Sequence, residues 1–208
     1  MKIREMTLVL VVVFTLSVTA YGGVKYVKTW KNPEAQPTTW KGKKVVVFAG
    51  TRLVDARQGA EQAMVRELAK LGIEGIPSYT AIPPAAEKDL DMARRILTDA
   101  GIAGVLIMRV TAFKDETEVG GATAYYLGPN YSSFYGFWGT GWNVQYVPPQ
   151  VKTKVTVVVE TLVFSVDQDK LLWTGTSETT NPEKVDKLIK QLASATRDEI
   201  KKTGLVAK

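Results

Sequence analysis

The stretch at residues 43–79, KKVVVFAGTRLVDARQGAEQAMVRELAKLGIEGIPSY, decides the fold class. Its β-branched opening, Val45-Val46-Val47-Phe48-Ala49, is continuously apolar, which marks a strand buried on both faces. A connection follows at 51–55, with Asp55 as a candidate helix N-cap. Ala60, Met64, Leu68 and Leu71 then recur at helical spacing, with Ala63 and Val65 at the edges of the stripe. Gly72 stands where a helix ends on a left-handed residue, a conformation that costs glycine little. Residues 73–79 give a second strand, broken by Ile82-Pro83-Pro84. Strand, helix, strand in this order predicts parallel neighbours joined by a crossover helix.

The alternation continues toward the C-terminus. A second helix is expected over 86–100, with Leu90, Ala93 and Leu97 as its stripe, Ile96 and Ala100 widening it and Gly101 closing it. Residues 104–113, GVLIMRVTAF, form a third strand. A fourth runs over 152–166, with Val155, Val157 and Val159 on one face. Asp167-Gln168-Asp169-Lys170 makes a turn into a fifth strand, 171–176, which carries Trp173. Asn181-Pro182-Glu183 starts the last helix with a cap and a proline at the first helical position. Val185, Leu188, Ile189, Leu192 and Ile200 mark its buried face. The order β-α-β-α-β-β-β-α predicts one α/β domain over 43–208, a mixed five-stranded sheet with helices packed on it.

Upstream, residues 21–42 are polar, aromatic and proline-containing, and are expected to be a linker. Before them, Lys2 and Arg4 precede the apolar run MTLVLVVVFTLSV at 6–18 and the small-residue exit Val18-Thr19-Ala20. This is the pattern of a secretory signal peptide over 1–20, cut after Ala20 or after Gly22. The alternative is an uncleaved anchor, although the run is short of the roughly 20 residues that span a bilayer. The expected location is the periplasm, or the membrane if the segment is retained.

Composition narrows the chemistry. Hydrophobic residues make up 45% of the 208 and charged residues 23%, which excludes wholesale disorder and a polytopic membrane protein. There is no cysteine and no histidine. Disulfides, Cys/His zinc sites, cysteine nucleophiles, Ser-His triads and histidine acid–base catalysis are therefore excluded. The net charge of +6 is spread over helix faces beside acids, as on an ordinary solvated surface. No phosphate loop, strand-following GxGxxG, SxxK or GxSxG motif occurs. Asp89 and Asp91 open a helix, and Asp167 and Asp169 sit in a hairpin turn, so structural roles explain both pairs. Glu160, in a run of valines, is expected to pair with Arg109 across the sheet. A hydrolase built on carboxylates alone, drawing on Glu116, Glu118 and Glu160, is the remaining catalytic reading. No catalytic residue, metal or cofactor is assigned.

One segment breaks the alternation. Residues 119–151 carry no charge. Within 120–146 lie Tyr125, Tyr126, Tyr131, Phe134, Tyr135, Phe137, Trp138, Trp142 and Tyr146, interleaved with six glycines. An insertion of this length is usually functional or disordered. Three readings compete. The aromatics form a partner-binding surface. Alternatively, the segment inserts in a membrane as a β-hairpin of an oligomeric outer-membrane assembly, for which Trp142, Val144 and Tyr146 alternate with Asn143 and Gln145. In the third, the loop folds back on the sheet without a specific role. No basic residue lies between Lys114 and Lys152 to hold phosphate, which disfavours nucleic acid and leaves an envelope protein or glycan as partner.

The stretch ETLVFSVDQDKLLWTGTSET, residues 160–179, resembles a hairpin of uncharacterised bacterial envelope proteins, mostly lipoproteins of unknown function. The likeness takes in Val45 to Ala49, the Leu71-Gly72 helix end and the Gly/Tyr-rich insertion, and departs from the lipoprotein pattern in lacking an acceptor cysteine. The element order is also similar to the N-terminal domain of the Tol translocation protein and to the periplasmic domain of the curli secretion channel, a likeness of fold alone. The resemblance carries no catalytic assignment; the absent motifs and the aromatic segment together lead to the expectation of a non-enzymatic periplasmic binding or scaffolding domain of the cell envelope, with a subunit of an oligomeric outer-membrane assembly as the alternative.

Overall fold

The computed structural model describes residues 23–35, 39–115, 134–135 and 155–204. The expected export segment, Glu116 and Glu118, and all of the insertion but two residues lie outside the described residues. A mixed sheet of six strands runs in the order β1-β6-β5-β4-β2-β3. Its strands are β1 (Lys25–Lys31), β2 (Lys44–Gly50), β3 (Glu74–Pro77), β4 (Ile102–Asp115), β5 (Val155–Ser165) and β6 (Lys170–Thr180). The helices are α1 (Val54–Ala69), the single turn α2 (Ser78–Ala81), α3 (Leu90–Asp99) and α4 (Val185–Thr203), with a 3₁₀ turn at Pro84–Lys88. β2 pairs in parallel with β3 and β4, while β4–β5, β5–β6 and β1–β6 are antiparallel. The parallel crossovers and the terminal hairpin thus form as their spacing predicts.

Alternation along the strands builds two cores. On the first face, Val45, Val47, Leu106, Met108, Val157, Val159 and Val163 pack with Met64 and Leu68 of α1 and with Leu192 and Ile200 of α4. Arg197 of α4 ties the two helices together through Glu67 of α1. Trp40 and Trp173 are fully buried here. Gly104 lets the Trp40 ring lie against the sheet, because a Cβ at 104 would come within 2.3 Å of the indole. The Tyr26 hydroxyl meets the Thr196 hydroxyl at 2.7 Å and that of Thr161 at 3.0 Å, linking β1, α4 and β5. Burial pushes the Tyr26 pKa up, against the lowering effect of those hydrogen bonds. On the second face, Val46, Phe48, Val105, Ile107, Leu162 and Phe164 pack with Ala93 and Leu97 of α3.

Several sequence expectations change. Residues 25–31, expected within a linker, form β1, so the sheet has six strands and not five. The strand escapes a pattern search because it is an edge with a bulge: Val27 is the extra residue between Tyr26 and Lys28, and the alternation inverts there. α1 begins at Val54 after Leu53, without a side-chain cap, so Asp55 lies inside the first turn. The second strand ends at Pro77, where the backbone turns into α2. The second helix splits into the 3₁₀ turn and α3, with Asp89 as the cap. The last helix starts at Val185, not after Asn181. Asn181 takes a left-handed φ of 46° and accepts the Val155 N–H through its side chain at 2.8 Å, closing the sheet rather than capping the helix. Val185 and Leu90, expected on buried stripes, are exposed because each falls in the first turn of its helix, beyond the sheet.

Candidate functional site

The insertion leaves the sheet at the end of β4 and returns at the start of β5, where Asp115 and Val155 are direct partners. Two of its nine aromatics are among the described residues, and both sit elsewhere. Phe134 is fully buried, its ring 5.6 Å from that of Phe164. Phe164 lies nine residues along β5 from Val155, about 30 Å at strand rise. Phe134 therefore belongs to the core of the second face and is not a free contact residue. Tyr135 is half-buried beside it, with ring centroids 5.1 Å apart.

Two body residues hold Tyr135. The Arg94 guanidinium of α3 stands 4.2 Å over the ring centroid, a cation–π contact. The Tyr135 N–H points to the Asp169 carboxylate at 3.4 Å, a long hydrogen bond. Burial pushes the Tyr135 hydroxyl above the usual tyrosine range, opposed by Arg94 and reinforced by Asp169. Asp169 is a turn residue with a φ of 45°, as its place in the β5–β6 connection suggests. No sequence signal marks Arg94 for this role. Tyr125, Tyr126, Tyr131, Phe137, Trp138, Trp142 and Tyr146 lie outside the described residues.

Several acids of the body are engaged. Arg109 and Glu160 face each other across β4 and β5, with Nε–Oε2 at 2.8 Å and Nη2–Oε2 at 2.6 Å, on one face of the sheet as expected. Lys114 and Glu178 pair further along that face. Asp89 accepts the Met92 N–H at 2.9 Å, the work of a helix cap. Among the described residues no group of three or more acids stands close enough to hold a metal ion.

Glu61 of α1 is the acid that pattern reading missed. It is fully buried, and its carboxylate accepts from Ser78 Oγ at 2.6 Å, the Ala49 N–H at 3.1 Å, Arg57 Nε at 3.1 Å and the Tyr79 N–H at 3.4 Å. Arg57 Nη2 also donates to Ser78 Oγ at 2.9 Å. The cluster fastens α1 to the C-terminal end of β2 and to α2, satisfying buried donors in the manner a charged acceptor requires. A signal for it exists: Glu61 stands three residues before Met64 and seven before Leu68, inside the apolar stripe.

No family model matches the chain, and no curated protein matches it. Among solved structures, a PelC dodecamer from Paraburkholderia phytofirmans is similar at 18% identity and a TM-score of 0.46, over 90% of this chain and 99% of that one. A lipoprotein from Neisseria meningitidis is similar at 15% identity and a TM-score of 0.40, over 77% of this chain and 99% of that one. At these scores neither protein's assembly nor its anchoring is carried over. The resemblance to envelope lipoproteins and the likenesses to the Tol and curli domains stay expectations.

Proposed function

We propose that the chain is a non-enzymatic binding or scaffolding domain of the bacterial envelope, exported by its N-terminal segment, with the aromatics of the insertion other than Phe134 as its contact surface. The observation that carries this reading is the seat of Phe134 and Tyr135. The insertion is tied to the body at both ends and at its middle, which lowers the ordering entropy that a partner must overcome. The body supports a passive role, because Glu61, Glu160 and Asp89 are committed to protein donors.

The test must spare the anchor, since deleting 120–146 would also remove a buried phenylalanine. A photo-crosslinking side chain placed at Tyr126 or Trp138, in cells, should give a discrete adduct with one envelope component. The same probe at Gln62, exposed on α1, should give none. Adducts only between copies of the chain would favour the oligomeric assembly. Equal, diffuse labelling at all three positions would defeat the proposal.

A further inference from the structure

The edge strand β1 carries features that the binding surface does not use. Its residues other than Tyr26 are exposed. The bulge at Val27 places Lys25, Lys28 and Trp30 on one face, opposite Glu178, Thr176 and Thr174 of β6. Trp30 is 44% exposed and Val27 57% exposed. On the same face lie the Lys114–Glu178 and Arg109–Glu160 pairs, so Lys25 and Lys28 leave it with a positive excess. Lysines on an edge guard against strand pairing. That accounts for the charge but not for an exposed tryptophan and valine beside it.

We infer that β1 is a membrane-contact element that lies against an anionic phospholipid surface, its lysines on the headgroups and Trp30 and Val27 at the interface. A tryptophan flanked by lysines is the side-chain pairing that suits the headgroup layer. Six residues separate the apolar run at 6–18 from β1, a reach of no more than about 25 Å. An export segment held in a bilayer therefore keeps this strand beside its surface. The inference rests on β1 and not on the aromatic insertion.

The chain has no cysteine, so Val27→Cys gives a single labelling site for a polarity-sensitive dye. The full-length chain would be reconstituted with phosphatidylcholine vesicles, with and without phosphatidylglycerol. The expected result is a blue shift that appears only with phosphatidylglycerol and fades with salt. K25Q/K28Q should weaken the contact roughly 10- to 30-fold, at the usual value of a juxtamembrane lysine. Trp30→Ser should weaken it with the salt dependence retained. Unchanged near-ultraviolet circular dichroism would show that each variant is folded. Equal shifts in neutral and anionic vesicles would overturn the inference. So would a shift indifferent to K25Q/K28Q, or one produced by a soluble acidic polysaccharide and not by vesicles.

Discussion

The two faces of the sheet are made by the same strands and finished differently. The first is covered by α1 and α4 and closed around Trp40 and Trp173. The second is covered by α3 near Val46 and Phe48, and toward β6 and β1 it carries ion pairs, threonines and exposed Trp30. Phe134 and Tyr135 sit on this second face. Burial is concentrated where helices cover the strands, and toward β6 and β1 the second face ends in polar groups and ion pairs.

The sharpest way to break that contrast is to open the first face. Trp173→Ala should cost about 3–5 kcal/mol in urea unfolding, since a fully buried indole leaves a cavity. A loss comparable to that of a surface substitution would erase the distinction. Next come the two glutamates. Glu61→Ala takes the acceptor from the buried Ser78 hydroxyl and the Ala49 N–H and should cost about 3 kcal/mol. Glu160→Ala, which removes a partly exposed carboxylate beside the buried Arg109, should cost less, about 1–3 kcal/mol, and reversal of that order would show the second face to be the more closed.

Tyr26 gives a smaller effect with a pH signature. Its pKa is raised by burial, so the folded chain keeps a proton that the unfolded chain releases near pH 10. Its contribution is intact below that pH and falls as pH rises toward the folded-state value. Tyr26→Phe should cost about 1 kcal/mol at neutral pH. The gap from wild type should narrow above pH 10, as measured by unfolding across the alkaline range. The smallest effect is expected at Lys114→Ala, whose ion pair with Glu178 is largely exposed: under about 1 kcal/mol, and less in high salt.

The core strands were legible because a strand buried on both faces needs an uninterrupted apolar run, which Val45 to Ala49 supplies. The Arg109–Glu160 pair was legible for the opposite reason, each charge interrupting such a run. β1 was not, since an edge strand needs one neighbour and no apolar face, and lysines at 25, 28 and 31 read as solvent-exposed chain. Asn181 misled because a cap and a left-handed closure use the same side chain. Phe134 was invisible among eight other aromatics, because only the pocket beside Phe164 distinguishes it. Glu61 lay in plain view on an apolar stripe.

The root of the insertion is clasped independently of what it carries. Asp115 faces Val155 directly, and Val155 is gripped by Asn181 through the side-chain bond and through the Asn181 N–H at 2.7 Å to its carbonyl. Because the ends are already brought together, doubling the length of chain between them would cost only about 0.6 kcal/mol in closure entropy. The sheet can thus act as a socket into which evolution, or an engineer, splices segments of differing length and chemistry. The toll for each exchange falls on the Phe134 plug and not on the strands.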